Sequence, residues 1–150
     1  MSNAIVEHDP PTASEMEALA EAALEKSAEL DLPLPAEELA KARAIFVGGT
    51  ATNVARLGTL SREELAHDRV TLAQMPATTV TSRYNVKPRR ARQLAAGVAI
   101  VDALLERFGL DAAEASDASL RDGAIIARAQ FGDEWPRRLE ELAGYPALST

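Results

Sequence analysis

The run Ala44-Ile45-Phe46-Val47 constrains the fold more than any other part of the chain. It is short, continuous, apolar and partly β-branched, the pattern of a strand buried on both faces. It stops at Gly48-Gly49, and most of the remaining sequence has helical periodicity. A mostly helical protein with at least one buried strand follows.

Helix starts are marked by hydroxyl residues followed three positions later by an acid. Thr12-Ala13-Ser14-Glu15 reads as a capping box, so a helix should begin near Ala13, with Met16, Leu19, Ala20, Ala23, Leu24 and Leu30 on its apolar face. Pro33 and Pro35 should end it, and a short helical piece is expected from Ala36 to Lys41. Ser61-Arg62-Glu63-Glu64 is a second box, opening a helix that ends near Met75-Pro76. Ala77 to Tyr84 reads as helix despite the strand-forming Thr78-Thr79-Val80-Thr81. Pro88 suits the first position of the longest helix, whose stripe of Leu94, Val98, Val101, Leu105 and Phe108 closes at Gly109. A short strand is expected near Ala113 to Ser116. Ser119 should then open a helix that turns Ala124, Ile125, Ile126 and Ala129 inward, and a last helix is expected from Asp133 to Ala143. No repeat or long linker interrupts residues 1–150, which are expected to form a single domain.

The absence of cysteine removes disulfides, thiolate metal sites and thiol nucleophiles. No apolar run approaches the roughly 20 residues of a membrane span, and Met1 to Pro11 has no signal-peptide pattern, so a cytoplasmic protein without membrane association is expected. Net charge is -7, unevenly spread: residues 1–42 hold ten acids against Lys26 and Lys41. Arg83, Lys87, Arg89, Arg90 and Arg92 form a local cation cluster without an acid among them, which fits either an anion or a solvated helix face. Nucleic-acid binding is not expected of so acidic a chain.

Three stretches bear on function. In Val47-Gly48-Gly49-Thr50-Ala51-Thr52 the glycines permit close backbone approach, and helix-start amides with two threonine hydroxyls suit a phosphate, although a plain strand-to-helix turn has the same pattern. No Gly-Lys-Ser/Thr and no third glycine follow, so it is neither a Walker loop nor a dinucleotide fingerprint. Pro88-Arg89-Arg90-Ala91-Arg92 places guanidinium groups on the first turn of a helix, where the dipole disfavours them unless an anion shares that end. Gly97 on the same helix reads as a packing position. Ser116-Asp117-Ala118-Ser119-Leu120-Arg121-Asp122-Gly123 reads as a strand end and a capped helix. His8 and His67 are isolated and read as surface residues, so no metal ligand is assigned.

In this order and spacing the three stretches resemble the second-domain segments of exopolyphosphatase / guanosine pentaphosphate phosphohydrolases, the Ppx/GppA family, over about residues 7–130. The resemblance implies a helix-rich α/β fold, part of an actin-like ATPase (RNase H-like) domain with few strands, and the C-terminal half of the enzyme core. It also implies a magnesium-dependent activity that releases terminal phosphate from inorganic polyphosphate or pppGpp. Arg90 matches the family's phosphate-gripping arginine, and Gly48, Gly49, Thr50 and Thr52 match the turn facing the cleft. The family's two Asp-x-Gly loops and catalytic glutamate have no counterpart, since this sequence contains no Asp-x-Gly, so no catalytic residue is assigned. Arg121-Asp122-Gly123 also has Asp where the family often has Glu.

The reading favoured is a C-terminal portion of such an enzyme, inactive alone. The alternatives are a non-catalytic module binding a phosphorylated ligand such as ppGpp, and a structural partner protein docking through its acidic first helix. In the favoured reading the strand at Ala44–Val47 belongs to a sheet most of whose strands lie elsewhere, leaving an edge and apolar surface open. A homo-oligomer, or a partner chain supplying the other half, is therefore expected. Light scattering of the chain alone should find a species heavier than the monomer; a monodisperse monomer would count against that reading.

Overall fold

A computed structural model describes residues 5–31, 36–39 and 41–138. They fall into two compact units, Met1–Asp117 and Ala118–Thr150. In the first, helix α1 (Ala13–Ala28) starts at the expected capping box: Thr12 Oγ1 accepts from the Glu15 N–H, and the Glu15 carboxylate accepts from the Thr12 N–H at 2.7 Å. Glu15 goes further, accepting from the Glu7 N–H at 2.6 Å, the His8 N–H at 3.2 Å and His8 Nδ1 at 3.0 Å. The Glu7 and Thr12 amides and His8 hold this carboxyl far below the usual range, and Glu15 in turn raises the His8 pKa. His8 is thus exposed but not isolated. The face of α1 that is buried carries Met16, Leu19, Ala23 and Ser27, whereas Leu24 and Leu30, expected inward, are exposed. The helix ends at Ala28, before Leu30, and Pro33 and Pro35 lie outside the described residues.

A four-residue helix α2 (Ala36–Leu39) leads to β1 (Ala44–Val47). Helix α3 (Gly49–Val54), β2 (Leu60–Ser61), α4 (Arg62–Leu72), α5 (Ala77–Tyr84), α6 (Pro88–Ala91), α7 (Leu94–Arg107) and β3 (Ala112–Ser116) follow. The sheet order is β1-β3-β2: β1 runs parallel to β3 with Phe46 opposite Ala115, and β2 is antiparallel to β3 with Leu60 opposite Ala113. The expected burial of β1 on both faces does not hold. Ala44 and Phe46 pack on the core, but Ile45 and Val47 are 53% and 52% exposed, because the strand lies at an edge with one face uncovered. The strand expected near Ala113 and the helix expected over the threonine-rich Ala77–Tyr84 are both present. At Ser61 half a capping box forms: its hydroxyl accepts from the Glu64 N–H, while the Glu64 side chain packs over Gly58.

The longest predicted helix is in fact two. A Gln93 N–H···O=C Arg90 bond of 2.9 Å tightens the chain to i→i−3 spacing between α6 and α7. The long helix α7 ends where expected. Gly109, at φ +64, donates to the Glu106 carbonyl, and Leu110 donates to that of Leu105, which together form a Schellman cap. Nine of the fourteen residues of α7 are buried, and α1, α3 and α4 pack around it.

In the second unit, Ser119 and Asp122 form a reciprocal capping box that opens helix α8 (Leu120–Phe131). Ala127 is its buried position, while Ile125 and Ile126, at 62% and 52%, and Ala129 are exposed, contrary to the inward face expected for them. A helix buries one stripe, and here that stripe does not run through those three positions. A 3₁₀ helix (Gly132–Arg137) with Pro136 inside replaces the α-helix expected from Asp133, and residues beyond 138 lie outside the described set. Among the described residues no helix is long and apolar enough to cross a membrane.

One core residue carries a charge problem. Asp68, between Leu65 and Leu72 on the inner side of α4, is 3% exposed, and its Oδ2 has no hydrogen-bond partner. Burial pushes its carboxyl up to about 6; Glu64 adds to the rise and His67 opposes it. The folded state thus holds this proton more tightly than the unfolded chain, whose value is near 3.8. Its contribution to stability is therefore full below the unfolded value and is lost as pH rises to about 6. Asp68→Asn should melt a few degrees above the parent at neutral pH and lose that advantage in acid. Thermal melts across this range test it, and a difference independent of pH would refute the role of the charge.

Candidate functional site

Strand β1 delivers the chain into a turn that only glycine tolerates well: Gly48 has φ +95 and ψ 173, a backbone region disfavoured for residues with a Cβ. The Thr52 hydroxyl and the Asn53 amide donate to the carbonyls of Gly48 and Gly49, folding α3 directly onto the turn. Arg90 lies against this turn. A Cβ added at Gly49 would stand 3.6 Å from Arg90 Nη2, ordinary van der Waals contact, so the guanidinium lies beside the turn without filling the place of a side chain. Gln93 Oε1 accepts from Arg90 Nη1 at 3.3 Å and steadies it.

Arg90 and two of the four expected turn residues line one small cleft, Gly49 and Thr50, joined by Asn53 and Gln93. Gly48 and Thr52 shape the turn from behind, with the Thr52 proton committed to the Gly48 carbonyl. Through Asn53 and Arg90 the cleft continues into an open groove of about 590 Å³ that also holds Arg56, Thr81, Asn85 and Lys87. Arg56 Nη1 donates to the Asn85 carbonyl at 3.2 Å, and Asn85 ends α5 in the left-handed region at φ +52.

The cation cluster read from the sequence is divided by the fold. Lys87 and Arg90 face the groove, and Arg83 lies over the ring of Tyr84. Arg92 lines a separate cavity of about 330 Å³ with Glu7, His8 and Asp9. The helix-dipole conflict that seemed to call for an anion is slight, since α6 has four residues and the long helix starts only at Leu94. Sequence reasoning missed Arg56, Asn53 and Asn85. Arg56 stands outside the cation run, and its position in the groove depends on a contact 29 residues away. The third stretch is structural in its Ser119-Asp122 cap.

Guanidinium, ammonium, amide and hydroxyl groups line the groove, and among the described residues no carboxylate or imidazole does. It can hold an anion, yet its described residues include no group to take a proton from water. Among the described residues no group of three or more His, Asp or Glu could hold a metal ion, and the described side chains along the groove offer magnesium none of the carboxylate oxygens it favours.

No protein-family model and no curated protein matches the chain. Solved structures do. A crystal structure of the Aquifex aeolicus Ppx/GppA phosphatase in its type II variant matches with a TM-score of 0.70 at 23% identity, over 84% of this chain and 45% of that one. A crystal structure of the Aquifex aeolicus member of the Ppx/GppA family matches with a TM-score of 0.72 at 22% identity, over 88% and 46%. The chain spans just under half the length of the structures it matches. Its helix-rich α/β fold, with a small mixed three-stranded sheet, is therefore that of part of a Ppx/GppA phosphatase.

The cleft depends on close packing at Gly97, as the sequence suggested. A Cβ there would meet Val54 Cγ2 at 3.0 Å and Thr50 Cγ2 at 3.3 Å, both on α3. Gly97→Val is expected to destabilise the protein by about 1–3 kcal/mol through overpacking. Urea unfolding measures this, and a neutral result would mean that α3 gives way without cost.

Proposed function

We propose that the chain is the C-terminal portion of a Ppx/GppA-type phosphohydrolase, the part that grips substrate phosphates while a front half supplies the catalytic carboxylate and the magnesium. The observation that carries this reading is the Arg90 guanidinium lying against Gly49 of the glycine turn, in a groove with no carboxylate among its described residues. In the reaction, water attacks the terminal phosphorus in line, the anhydride P–O bond breaks, and the next phosphate leaves with that oxygen. Negative charge builds on the transferring group and the leaving oxygen, where a planar guanidinium can hold two oxygens at once. The substrate is inorganic polyphosphate or pppGpp. The front half comes from the same polypeptide or from a partner chain, and either of these, or a second copy of this chain, would cover the open edge of β1.

A second reading, a non-catalytic module for a phosphorylated ligand such as ppGpp, is favoured by the same lack of a proton acceptor in the groove. The two part on reconstitution. The chain alone, once circular dichroism has established folding, should release no phosphate from polyphosphate or pppGpp with magnesium. Adding a Ppx/GppA front half should restore turnover, and Arg90→Ala should lower that turnover by about 10²–10³-fold, the scale of a lost charge-stabilising donor. Turnover by the chain alone would refute the half-enzyme reading, and ligand binding without any restored turnover would favour the module.

A further inference from the structure

The cavity of about 330 Å³ that Arg92 lines shares no residue with the groove. Its inner lining belongs to the core, since Leu72, Val80, Ala91 and Ala95 are all buried. Val6, Pro11 and Met75 continue the apolar surface. The wall supplied by the N-terminal segment is fixed in place: Glu15 accepts from the Glu7 and His8 amides and from His8 Nδ1, and Asp9 Oδ1 accepts from the Ala77 N–H at 2.7 Å. A wall tied down in this way leaves little to be ordered when a ligand arrives. The exposed lining residues are charged and unlike in sign, Glu7 and Asp9 on the N-terminal segment and Arg92 after α6. His8 is already paired with Glu15. Among the described residues neither the Glu7 carboxylate nor the Arg92 guanidinium has a hydrogen-bond or ion-pair partner, and they do not pair with each other across the cavity. The volume lies at the small end of the roughly 300–1,000 Å³ of small-molecule sites, which suits a compact metabolite.

We infer that this cavity binds a free α-amino acid with an aliphatic side chain, of the size of leucine. The side chain enters the apolar lining, the carboxylate meets Arg92, and the ammonium meets Glu7 with Asp9 beside it. A ligand with a negative group alone would bring further negative charge towards Glu7 and Asp9, and one with a positive group alone would do the same to Arg92. A zwitterion answers both signs, and the planar guanidinium can take both carboxylate oxygens. No Phe, Tyr or Trp lines the described walls, while Met75 can adapt its shape to an aliphatic chain. Because the site and the groove have no residue in common, its test is independent of the phosphohydrolase reading.

NMR titration of the folded 150-residue chain tests it, with leucine, isocaproate, isoamylamine and glycine as probes. Isocaproate lacks the ammonium of leucine, isoamylamine lacks its carboxylate, and glycine keeps both charges without the side chain. Leucine should shift the backbone signals of Val6, Leu72, Val80 and Ala95 and bind about tenfold more tightly than any of the other three. Arg92→Gln should weaken leucine about tenfold without weakening isoamylamine, and Glu7→Gln should weaken leucine to a similar degree without weakening isocaproate. Both side chains are exposed, so neither substitution disturbs the core. Parent-like leucine binding in either variant would overturn the site, as would isocaproate or isoamylamine binding as tightly as leucine. Shifts that map away from the cavity, or none at the solubility limit of leucine, would overturn it as well.

Discussion

The close packing around α7 is the constraint on which the rest of the first unit depends. Its buried residues alternate large and small: Leu94, Val98, Val101 and Leu105 fill space, while Ala95, Ala96, Gly97, Ala99 and Ala103 let neighbours approach. A helix buried on most of its circumference needs such a mixture, because each partner helix must find a groove to enter. The large side chains each contribute about 1.5–3 kcal/mol by leaving water. The small ones decide where the partners sit. At Gly97 the approach of α3 is close enough that its Thr50 and Val54 methyl groups would crowd any added side chain. Since Arg90 and Gln93 lie on the chain entering α7, the glycine turn and the guanidinium beside it are both positioned from one helix.

Charge is organised as deliberately as packing. Glu15 gathers donors from Glu7, His8 and Thr12, and Asp9 accepts from the Ala77 N–H at 2.7 Å, so the N-terminal segment is tied to the starts of both α1 and α5. On the opposite account, Arg62 and Arg69 lie near Asp102, and Arg62 also meets Glu106, knitting α4 to α7. Around the groove the pattern reverses: among the described residues, cations face a common space with neutral neighbours only. In a chain with net charge -7 acids are plentiful, so cations left without them stand out. Like charges around one space repel, an unfavourable arrangement that an anion would relieve.

What was legible in the sequence was local. Capping boxes at Thr12 and Ser119, the glycine stop at Gly109 and the strand-turn-helix at Ala44–Thr52 each follow from a few neighbouring residues, and each lies where expected. What failed needed knowledge of neighbours distant in sequence. Continuous apolar character predicted burial of β1 on both faces, but burial depends on what covers the strand, and Ile45 and Val47 are open. Periodicity carried Pro88 to Phe108 as one helix, although a single i→i−3 bond at Gln93 divides it. The cation run looked like one site, but successive residues point in different directions, and the cation that joins Lys87 and Arg90 in the groove comes from Arg56.

The fold shared with under half of a Ppx/GppA phosphatase gives these features a common explanation on the proposed reading. Moving a phosphoryl group requires charge neutralisation and, separately, a base that orients water, and the two demands conflict within a single pocket. A carboxylate beside Arg90 would pair with it and weaken its grip on phosphate. Assigning cations and glycine-turn amides to one wall of a cleft, and carboxylates with their metal to the other, avoids that pairing until substrate lies between them. A chain carrying the first wall alone would have a groove rich in donors without a proton acceptor, and a sheet that ends at β1 with Ile45 and Val47 uncovered. Both hold among the described residues.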